Sequence, residues 1–230
     1  MSFDAIAPWY RALERIAFGS QLQRCRLACL GEIVAPRRAL VVGEGNGRFL
    51  CELLRVHPGV EVDCLDASKR MLELARERIG EASPDHAARV RFLHEDITSW
   101  IPPGDRYDLI VTHFVLDCFR EAELAFIIKK LAGAATSDAT WLLADFRIPG
   151  GGFARLRARV WLTVMYGFFR MTARIEANEL IDSTPFIQAQ DFALAARHQF
   201  KGAMLKSELW RRNSPGSAGC QPAHLGSLPR

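Results

Sequence analysis

The stretch Val41-Val42-Gly43-Glu44-Gly45-Asn46-Gly47 decides how this chain folds. An apolar run ends at Val42, and the three glycines that follow at alternate positions let the backbone turn tightly and approach a ligand with no Cβ in the way. The next segment, Arg48 to Val56, carries apolar side chains at helical spacing. The stretch therefore predicts a strand, a glycine loop, and a helix whose first amides face a ligand.

A second apolar strand, Val60 to Leu65, leads directly to Asp66. A carboxylate at this place can accept two hydrogen bonds from a ribose diol, and each such bond contributes roughly 1.5 to 3 kcal/mol. The Gly-x-Gly-x-x-Gly pattern of dinucleotide sites is absent, because its sixth position is Arg48 when counted from Gly43 and Leu50 when counted from Gly45. The sequence thus predicts a nucleoside ligand without a pyrophosphate.

Further strands and helices alternate along the chain as far as residue 146, which predicts a doubly wound α/β sheet with mostly parallel strands. We expect strands at 89–96 and 141–146, and a fourth strand with its exit loop at 107–117. An antiparallel hairpin built from 192–200 and 204–210 should follow. Seven strands are then complete by Arg212. Ligands bind at the carboxyl ends of parallel strands, so the motifs should share one rim of the sheet.

These motifs together resemble the class I S-adenosylmethionine-dependent methyltransferases, over about residues 3 to 212. The Gly-x-Gly-x-Gly loop is similar to the family's first motif, 62–72 to its second, and the stretch Glu95-Asp96-Ile97 to the adenine-binding position. The N-terminal stretch 3–10 is similar to the lid of the small-molecule and quinone-type branch. The resemblance implies a Rossmann-like fold and S-adenosylmethionine as cofactor. It also implies direct in-line methyl transfer to a small, moderately lipophilic acceptor, with S-adenosylhomocysteine as product.

The resemblance also implies roles for individual residues. Contacts with the cofactor are expected at Gly43, Glu44, Gly45, Asn46, Gly47, Asp66, Ala67, Met71, Asp96, Ile97, Thr112, His113 and Tyr10. The acceptor side is expected to include Trp9, Phe114, Arg147, Trp161 and Tyr166. Many family members carry an acidic residue where this chain has Val41, so Glu44 or a main-chain carbonyl is expected to meet the cofactor's ammonium group.

Proton transfer is needed only for acceptors that must lose a proton. Asp117 and His113 are the candidates for this role. Asp117 lies in an apolar stretch, so it is either a cap, a paired group or a functional one, because unpaired burial of a charge is costly. His113 is either a base or a hydrogen-bonded part of the cofactor wall. Asp145 is expected to pair with Arg147, and Cys118 to serve only in packing.

We expect a single domain over residues 1–212, followed by a flexible tail at 213–230 that is rich in Ser, Pro and Gly. Residues 1–35 are expected to form a helical lid, with the apolar positions between Ala12 and Ile33 packing on the sheet edge. A helical insertion at 150–190 is expected to shape the acceptor pocket. Its apolar run at 160–169 is flanked by arginines, which predicts either a buried cover helix or an interfacial surface that allows peripheral membrane contact.

Composition narrows the remaining possibilities. The formal charge of the 230 residues is only +4, which argues against a dedicated nucleic-acid binder. No transmembrane segment is expected, and the six cysteines include no Cys-x-x-Cys pair, which favours reduced thiols in the cytoplasm and no metal. An RNA-modifying enzyme of the same fold and a catalytically silent cofactor-binding scaffold remain as alternatives. The acceptor and the oligomeric state are not predicted.

Overall fold

The computed structural model describes residues 20–82, 84–147, 180–200 and 203–213. Its strands are β1 (Arg38–Val42), β2 (Glu61–Asp66), β3 (Val90–His94), β4 (Tyr107–His113), β5 (Ala135–Phe146), β6 (Phe192–Phe200) and β7 (Leu205–Arg212). Its α-helices are α1 (Gln21–Leu27), α2 (Arg48–Val56), α3 (Lys69–Ala82), α4 (Pro84–Ala87), α5 (Glu121–Ala134) and α6 (Thr184–Gln188). Short 3-10 turns occur at Leu30–Glu32 and Leu116–Cys118.

The strands form one seven-stranded sheet in the order β3-β2-β1-β4-β5-β7-β6. The first five strands of this order are parallel, whereas β7 runs antiparallel to both of its neighbours, β5 and β6. The predicted doubly wound sheet with an antiparallel terminal hairpin is therefore confirmed. Strand β5 begins at Ala135, earlier than predicted and directly after α5. Its first residues are small or polar and show no strand pattern, so the sequence did not reveal this start.

The local patterns of the sequence produce the helices that flank the glycine loop. Helix α2 spans the predicted residues, and it buries Phe49, Leu50, Leu53 and Leu54 against the sheet. Helix α3 begins after Ser68, whose Oγ accepts a hydrogen bond from the Met71 main-chain nitrogen at 3.2 Å. This bond satisfies one of the amides that have no partner within the helix, which is the role of a Ser N-cap.

The described part of the N-terminal helical region packs at the β7–β6 end of the sheet. Leu22 and Cys25 of α1 pack with Ala144, Phe146 and Leu205. The Cys25 thiol also donates a hydrogen bond to the main-chain oxygen of Lys206, at 3.3 Å. Helix α1 contacts the edge strand β6 and also β7 and β5, so it reaches further across the sheet than the predicted edge.

Several predicted segments lie outside the described residues: positions 1–19 of the lid, most of the insertion at 148–179, and the tail from 214 onward. Of the insertion, the structure describes α6, whose Ile187 is fully buried in the core next to α5. None of the described helices combines the length and the apolar character needed to cross a bilayer.

Candidate functional site

The glycine loop connects β1 to α2 and has an unusual backbone conformation. Gly43, Gly45 and Gly47 have φ angles of 65°, 73° and 81°, in the left-handed region that disfavours other residues. A Cβ on Gly47 would lie 2.8 Å from the Cα of Ala75, so close packing with α3 requires glycine there. A Cβ on Gly45 would meet no atom within 4 Å. The two glycines therefore serve different purposes: Gly47 allows the packing of α3, and Gly45 leaves open space beside the loop.

That open space belongs to a cavity of about 710 Å³, including its mouth, at the carboxyl ends of β1, β2 and β4. Most of its walls are apolar, and its polar side chains are Asp66, Glu95 and Asp96. The described residues that line it are Val42, Gly43, Gly45, Leu65, Asp66, Ala67, Met71, Glu95, Asp96, Ile97, Phe114, Val115, Cys118 and Phe119. An elongated ligand with a polar edge and an apolar ring suits such a lining.

The main chain holds both aspartates of the cavity in place. Asp66 accepts hydrogen bonds from the nitrogen of Ser68 at 2.9 Å and from that of Gly45 at 3.4 Å. Asp96 accepts from the nitrogen and the hydroxyl of Thr98, at 2.9 and 2.7 Å. Partial burial raises the pKa of Asp96, the hydrogen bonds from Thr98 act in the opposite direction, and the pKa lies below its usual value. Asp96 is therefore an ionised acceptor at neutral pH.

The structure brings together eight of the residues predicted to contact the cofactor or the acceptor. Those in the cavity lining are Gly43, Gly45, Asp66, Ala67, Met71, Asp96, Ile97 and Phe114. Five others lie outside this lining. Glu44, Asn46 and Gly47 belong to the loop, and Thr112 and His113 end β4, the strand that pairs with β1. Tyr10, Trp9, Trp161 and Tyr166 lie outside the described residues.

Glu44 caps the helix that follows the loop, and the structure does not place it on the cavity wall. Its Oε1 accepts hydrogen bonds from the main-chain nitrogens of Phe49 and Leu50, at 2.9 and 3.2 Å. Burial raises the pKa of Glu44 to about 7, against the opposing effects of the Arg26 charge and of these two bonds. The sequence did not reveal this role, because the turn at Gly45 and Gly47 directs the carboxylate back towards the start of α2.

Thr112 and His113 point to opposite faces of β4, as successive strand residues do. The Thr112 hydroxyl accepts a hydrogen bond at 2.8 Å from the indole nitrogen of Trp141 in the core. The His113 ring packs edge-on against Phe49, with ring centroids 4.5 Å apart. Burial, followed by the charge of Arg26, lowers the pKa of His113 well below its usual value. His113 is therefore neutral, and its buried Nδ1 has no hydrogen-bond partner among the described residues, so the hydrogen-bonded wall role stays a prediction.

Arg26 is a buried cation that sequence reasoning did not single out. Its side chain is only 8% exposed, and its guanidinium carbon lies 5.3 Å from the centre of the Phe114 ring. Its charge acts on both Glu44 and His113. Reasoning from local pattern could not find it, because an arginine on a short amphipathic helix usually faces water. Val115, Cys118 and Phe119 of the cavity wall were also missed as site residues.

The loop that leaves β4 forms the end of the cavity nearest to β5. Phe114 has a φ of 55°, which is rare for a non-glycine residue, and its ring packs 5.1 Å from that of Phe146. Burial raises the pKa of Cys118 well above its usual value, so this thiol is neutral, in line with the expected packing role. Asp117 lies in the 3-10 turn beside it and is 6% exposed.

Asp145, at the carboxyl end of β5, is buried close to Asp117. Burial and then the charge of Asp117 raise the pKa of Asp145 well above its usual value, while Lys206 opposes this shift. The expected pairing of Asp145 with Arg147 is wrong, because the register of β5 and β7 places Lys206 opposite Asp145. The main-chain N–H of Arg147 donates a hydrogen bond to the main-chain oxygen of Met204, at 2.8 Å.

One group of potential metal ligands occurs elsewhere in the described residues, formed by Cys29, Glu32 and His198. A ring nitrogen of His198 lies 3.0 Å from a carboxylate oxygen of Glu32, and Cys29 accepts a hydrogen bond from Ser207 at 3.5 Å. These contacts already satisfy the polar atoms of the group. Cys25 lies four residues before Cys29 and donates its thiol hydrogen to the main-chain oxygen of Lys206 in β7.

Comparisons with known proteins agree with this geometry. A family model described as a methyltransferase domain matches residues 40–140. A demethylmenaquinone methyltransferase from Deinococcus radiodurans is 29% identical over 152 residues, which cover 65% of this chain and 61% of the relative. A malonyl-[acyl-carrier protein] O-methyltransferase from Paenibacillus sp. is 30% identical over 119 residues, or 45% of this chain and 42% of the relative. The chain thus spans less than two thirds of the length of these curated relatives.

Solved structures extend the similarity to the whole fold. The 1,6-didemethyltoxoflavin-N1-methyltransferase of Burkholderia thailandensis, solved with 1,6-didemethyltoxoflavin and S-adenosylhomocysteine, superposes with a TM-score of 0.63. The match covers 91% of this chain and 85% of that chain at 14% identity, so it concerns the fold alone. The glycine loop, the strand order and the methyltransferase-domain match over residues 40–140 make this chain similar to the class I S-adenosylmethionine-dependent methyltransferases.

Proposed function

We propose that this chain transfers the methyl group of S-adenosylmethionine to a small, moderately lipophilic acceptor by direct in-line displacement. The observation that carries the proposal is the meeting of Gly45, Asp66 and Asp96 around one largely apolar cavity at the carboxyl rim of the sheet. Ligands of open α/β sheets bind at this rim. The activity, the acceptor and the cytoplasmic location are parts of the proposal.

The residues of the cavity fit the cofactor group by group. We assign the ribose hydroxyls to Asp66 and the adenine edge to Asp96 and Ile97, since both carboxylates line the cavity and can accept further hydrogen bonds. Met71 and Phe119 supply apolar surface for the base. Gly45 leaves room for the methionine end, because a Cβ there would point into open space.

When bound, S-adenosylmethionine supplies a methyl group on a positively charged sulfur, which needs no further activation. The chain therefore has to align the acceptor and exclude water, and orientation alone contributes several kcal/mol to lowering the barrier. We assign these tasks to Phe114 in the β4 exit loop, whose backbone is held in a sparsely populated conformation. Arg147, Trp9, Trp161 and Tyr166 remain proposed contacts of the acceptor.

For an acceptor that must lose a proton, we assign the proton to the carboxylate of Asp117. Asp117 would accept the proton that the acceptor's O–H or N–H group loses, and the bound cofactor would supply the methyl group that takes its place. Asp145 lies close by, and burial followed by the charge of Asp117 raises the pKa of Asp145 well above its usual value, so the two carboxylates can share one proton. His113 is the second candidate, and its lowered pKa makes it the weaker proton acceptor.

An acceptor screen that detects the release of S-adenosylhomocysteine tests the proposal. The panel contains quinols, phenols, carboxylic acids and nitrogen heterocycles, and it starts with demethylmenaquinone because a relative is named for it. Turnover of at least one small compound is expected, with vesicles added to reveal any peripheral membrane dependence. Cofactor binding without turnover of any compound would support a silent scaffold. Activity on transfer RNA alone, with steeply salt-dependent binding, would support an RNA-modifying enzyme.

A further inference from the structure

The opposite end of the sheet carries a second cavity that methyl transfer does not use. The connection between β3 and β4, residues 95–106, contains neither helix nor strand. A cavity of about 800 Å³, including its mouth, opens at the amino ends of β1, β2 and β4 and beside β3. Its charged lining consists of Arg38, Glu61, Asp63, Arg89, Arg91 and Arg106. We call this region the arginine cavity.

Asp63 organises the wall of the arginine cavity. It is a charged residue in an otherwise apolar stretch of β2, and its side chain is only 8% exposed. Its carboxylate accepts two hydrogen bonds from Arg91, at 2.8 and 2.7 Å, and one from the Tyr107 hydroxyl at 2.6 Å. Burial raises the pKa of Asp63, but the bonds from Arg91 and Tyr107 outweigh it and leave the pKa below its usual value. Asp63 is thus an ionised anchor that fixes the planar guanidinium of Arg91.

The arginines of the cavity outnumber its carboxylates. Arg91 is paired with Asp63, and Arg38 lies 3.2 Å from Glu61. Arg106 forms a longer ion pair with Asp63, at 3.9 Å, and its buried Nε has no hydrogen-bond partner among the described residues. The side chain of Arg89 lines the cavity, and no ion pair or side-chain hydrogen bond joins it to another described residue. Four arginines against two carboxylates leave two positive charges on a concave surface, which concentrates the potential.

We propose that the arginine cavity binds the phosphate group of a small-molecule ligand, at a site separate from the cofactor cavity. A phosphate monoester carries a charge of about −1.5 to −2 at pH 7, which matches the net positive charge left by four arginines and two carboxylates. Guanidinium groups form paired hydrogen bonds to phosphate oxygens, and their charge persists at every physiological pH. The anchored Arg91 adds a rigid edge beside Arg89 and Arg106. Binding at this site does not depend on methyl transfer.

Titration calorimetry on the full chain tests this site, with inorganic phosphate and glycerol phosphate as probes and with or without saturating S-adenosylhomocysteine. Binding is expected in both conditions, because the two cavities lie at opposite ends of the sheet. Arg89→Ala and Arg106→Ala should each weaken binding by about ten-fold or more, the effect of one lost charged hydrogen bond. Tighter binding of glycerol phosphate than of inorganic phosphate would identify a phosphate ester, rather than the free ion, as the ligand.

Arg55→Ala is the matched control, because Arg55 carries the same charge but pairs with Glu52 on the exposed side of α2. An equal loss of affinity in Arg55→Ala and Arg89→Ala would show that only the net charge of the chain affects binding, and this result would overturn the proposal. Full affinity in the Arg89→Ala, Arg106→Ala double variant would also overturn it. So would binding of duplex RNA through these arginines without binding of either phosphate probe, since the surface would then belong to a nucleic acid.

Discussion

Asp66 Oδ2 accepts a hydrogen bond from the main-chain nitrogen of Gly45 at 3.4 Å, so the carboxylate that ends β2 is tied directly to the middle of the glycine loop. The second bond to Asp66, from Ser68, ties the same side chain to the start of α3. One carboxylate thereby sets the relative position of two elements that border the cofactor cavity. The consequences for binding can be measured.

Asp66→Ala should weaken the binding of S-adenosylhomocysteine by about 10-fold to 100-fold, because a charged acceptor for the ribose is lost and the loop loses its anchor. Isothermal calorimetry gives the affinity. Asp138→Ala is the control, since Asp138 is an exposed carboxylate that bonds only locally, to Thr136 at 2.7 Å. Unchanged affinity in the Asp66 variant would remove Asp66 from the site.

Alanine substitutions in the glycine loop should separate binding from folding. Gly45→Ala places a methyl group in the open cavity, so cofactor affinity should fall sharply, while stability falls by about 1 to 2 kcal/mol for a left-handed residue. Gly47→Ala brings a methyl group 2.8 Å from the main chain of Ala75, so it should lower the melting temperature much more. Calorimetric binding and thermal unfolding of both variants distinguish the effects. Equal melting temperatures for the two variants would contradict the packing role of Gly47.

Asp117→Asn should reduce kcat more than it weakens cofactor binding, because the amide keeps the shape of the side chain and cannot accept a full proton. The effect should be largest for acceptors with the highest pKa, and the pH dependence of kcat should change. Rates measured on an acceptor found in the screen, alongside cofactor Kd, test this. A variant with wild-type turnover on a proton-bearing acceptor would leave Asp117 with a structural role.

The buried Glu44 should make stability depend on pH. Burial raises its pKa to about 7 in the folded chain, above the usual 4.5, so the folded state holds the proton more tightly than the unfolded state. The raised pKa of Glu44 contributes fully to the free energy of unfolding below pH 4.5, and this contribution is lost as the pH rises towards 7. The shift corresponds to about 3 kcal/mol. Between pH 5 and pH 8, the stability of wild type should therefore fall relative to that of Glu44→Gln.

Urea unfolding of both proteins across this pH range measures the difference. Glutamine keeps an oxygen that can accept from Phe49 and Leu50, so the cap survives while the titration disappears. Parallel curves for the two proteins would mean that the Glu44 carboxyl has an ordinary pKa in the folded chain.

Much of the cofactor side of the site was predictable from the sequence. The loop glycines, Asp66 and Asp96 all lie at strand ends, and parallel strands bring their carboxyl ends to one rim whatever the details of packing. The acceptor side was harder to predict. The residue that lies opposite Asp145 on the neighbouring strand depends on the register of β7, which lies some sixty residues further along the chain. No local sequence pattern indicates that register.

The sequence by itself determined the alternation of strands and helices, the left-handed turns of the glycine loop and the N-cap at Ser68, because each depends on neighbours a few residues away. Only the tertiary structure decided that Glu44 caps α2, that Arg26 is buried behind Phe114, and that Lys206 faces Asp145. These outcomes depend on burial and strand register, which bring together groups that are far apart in the chain. Burial also sets the free-energy cost of keeping each group charged.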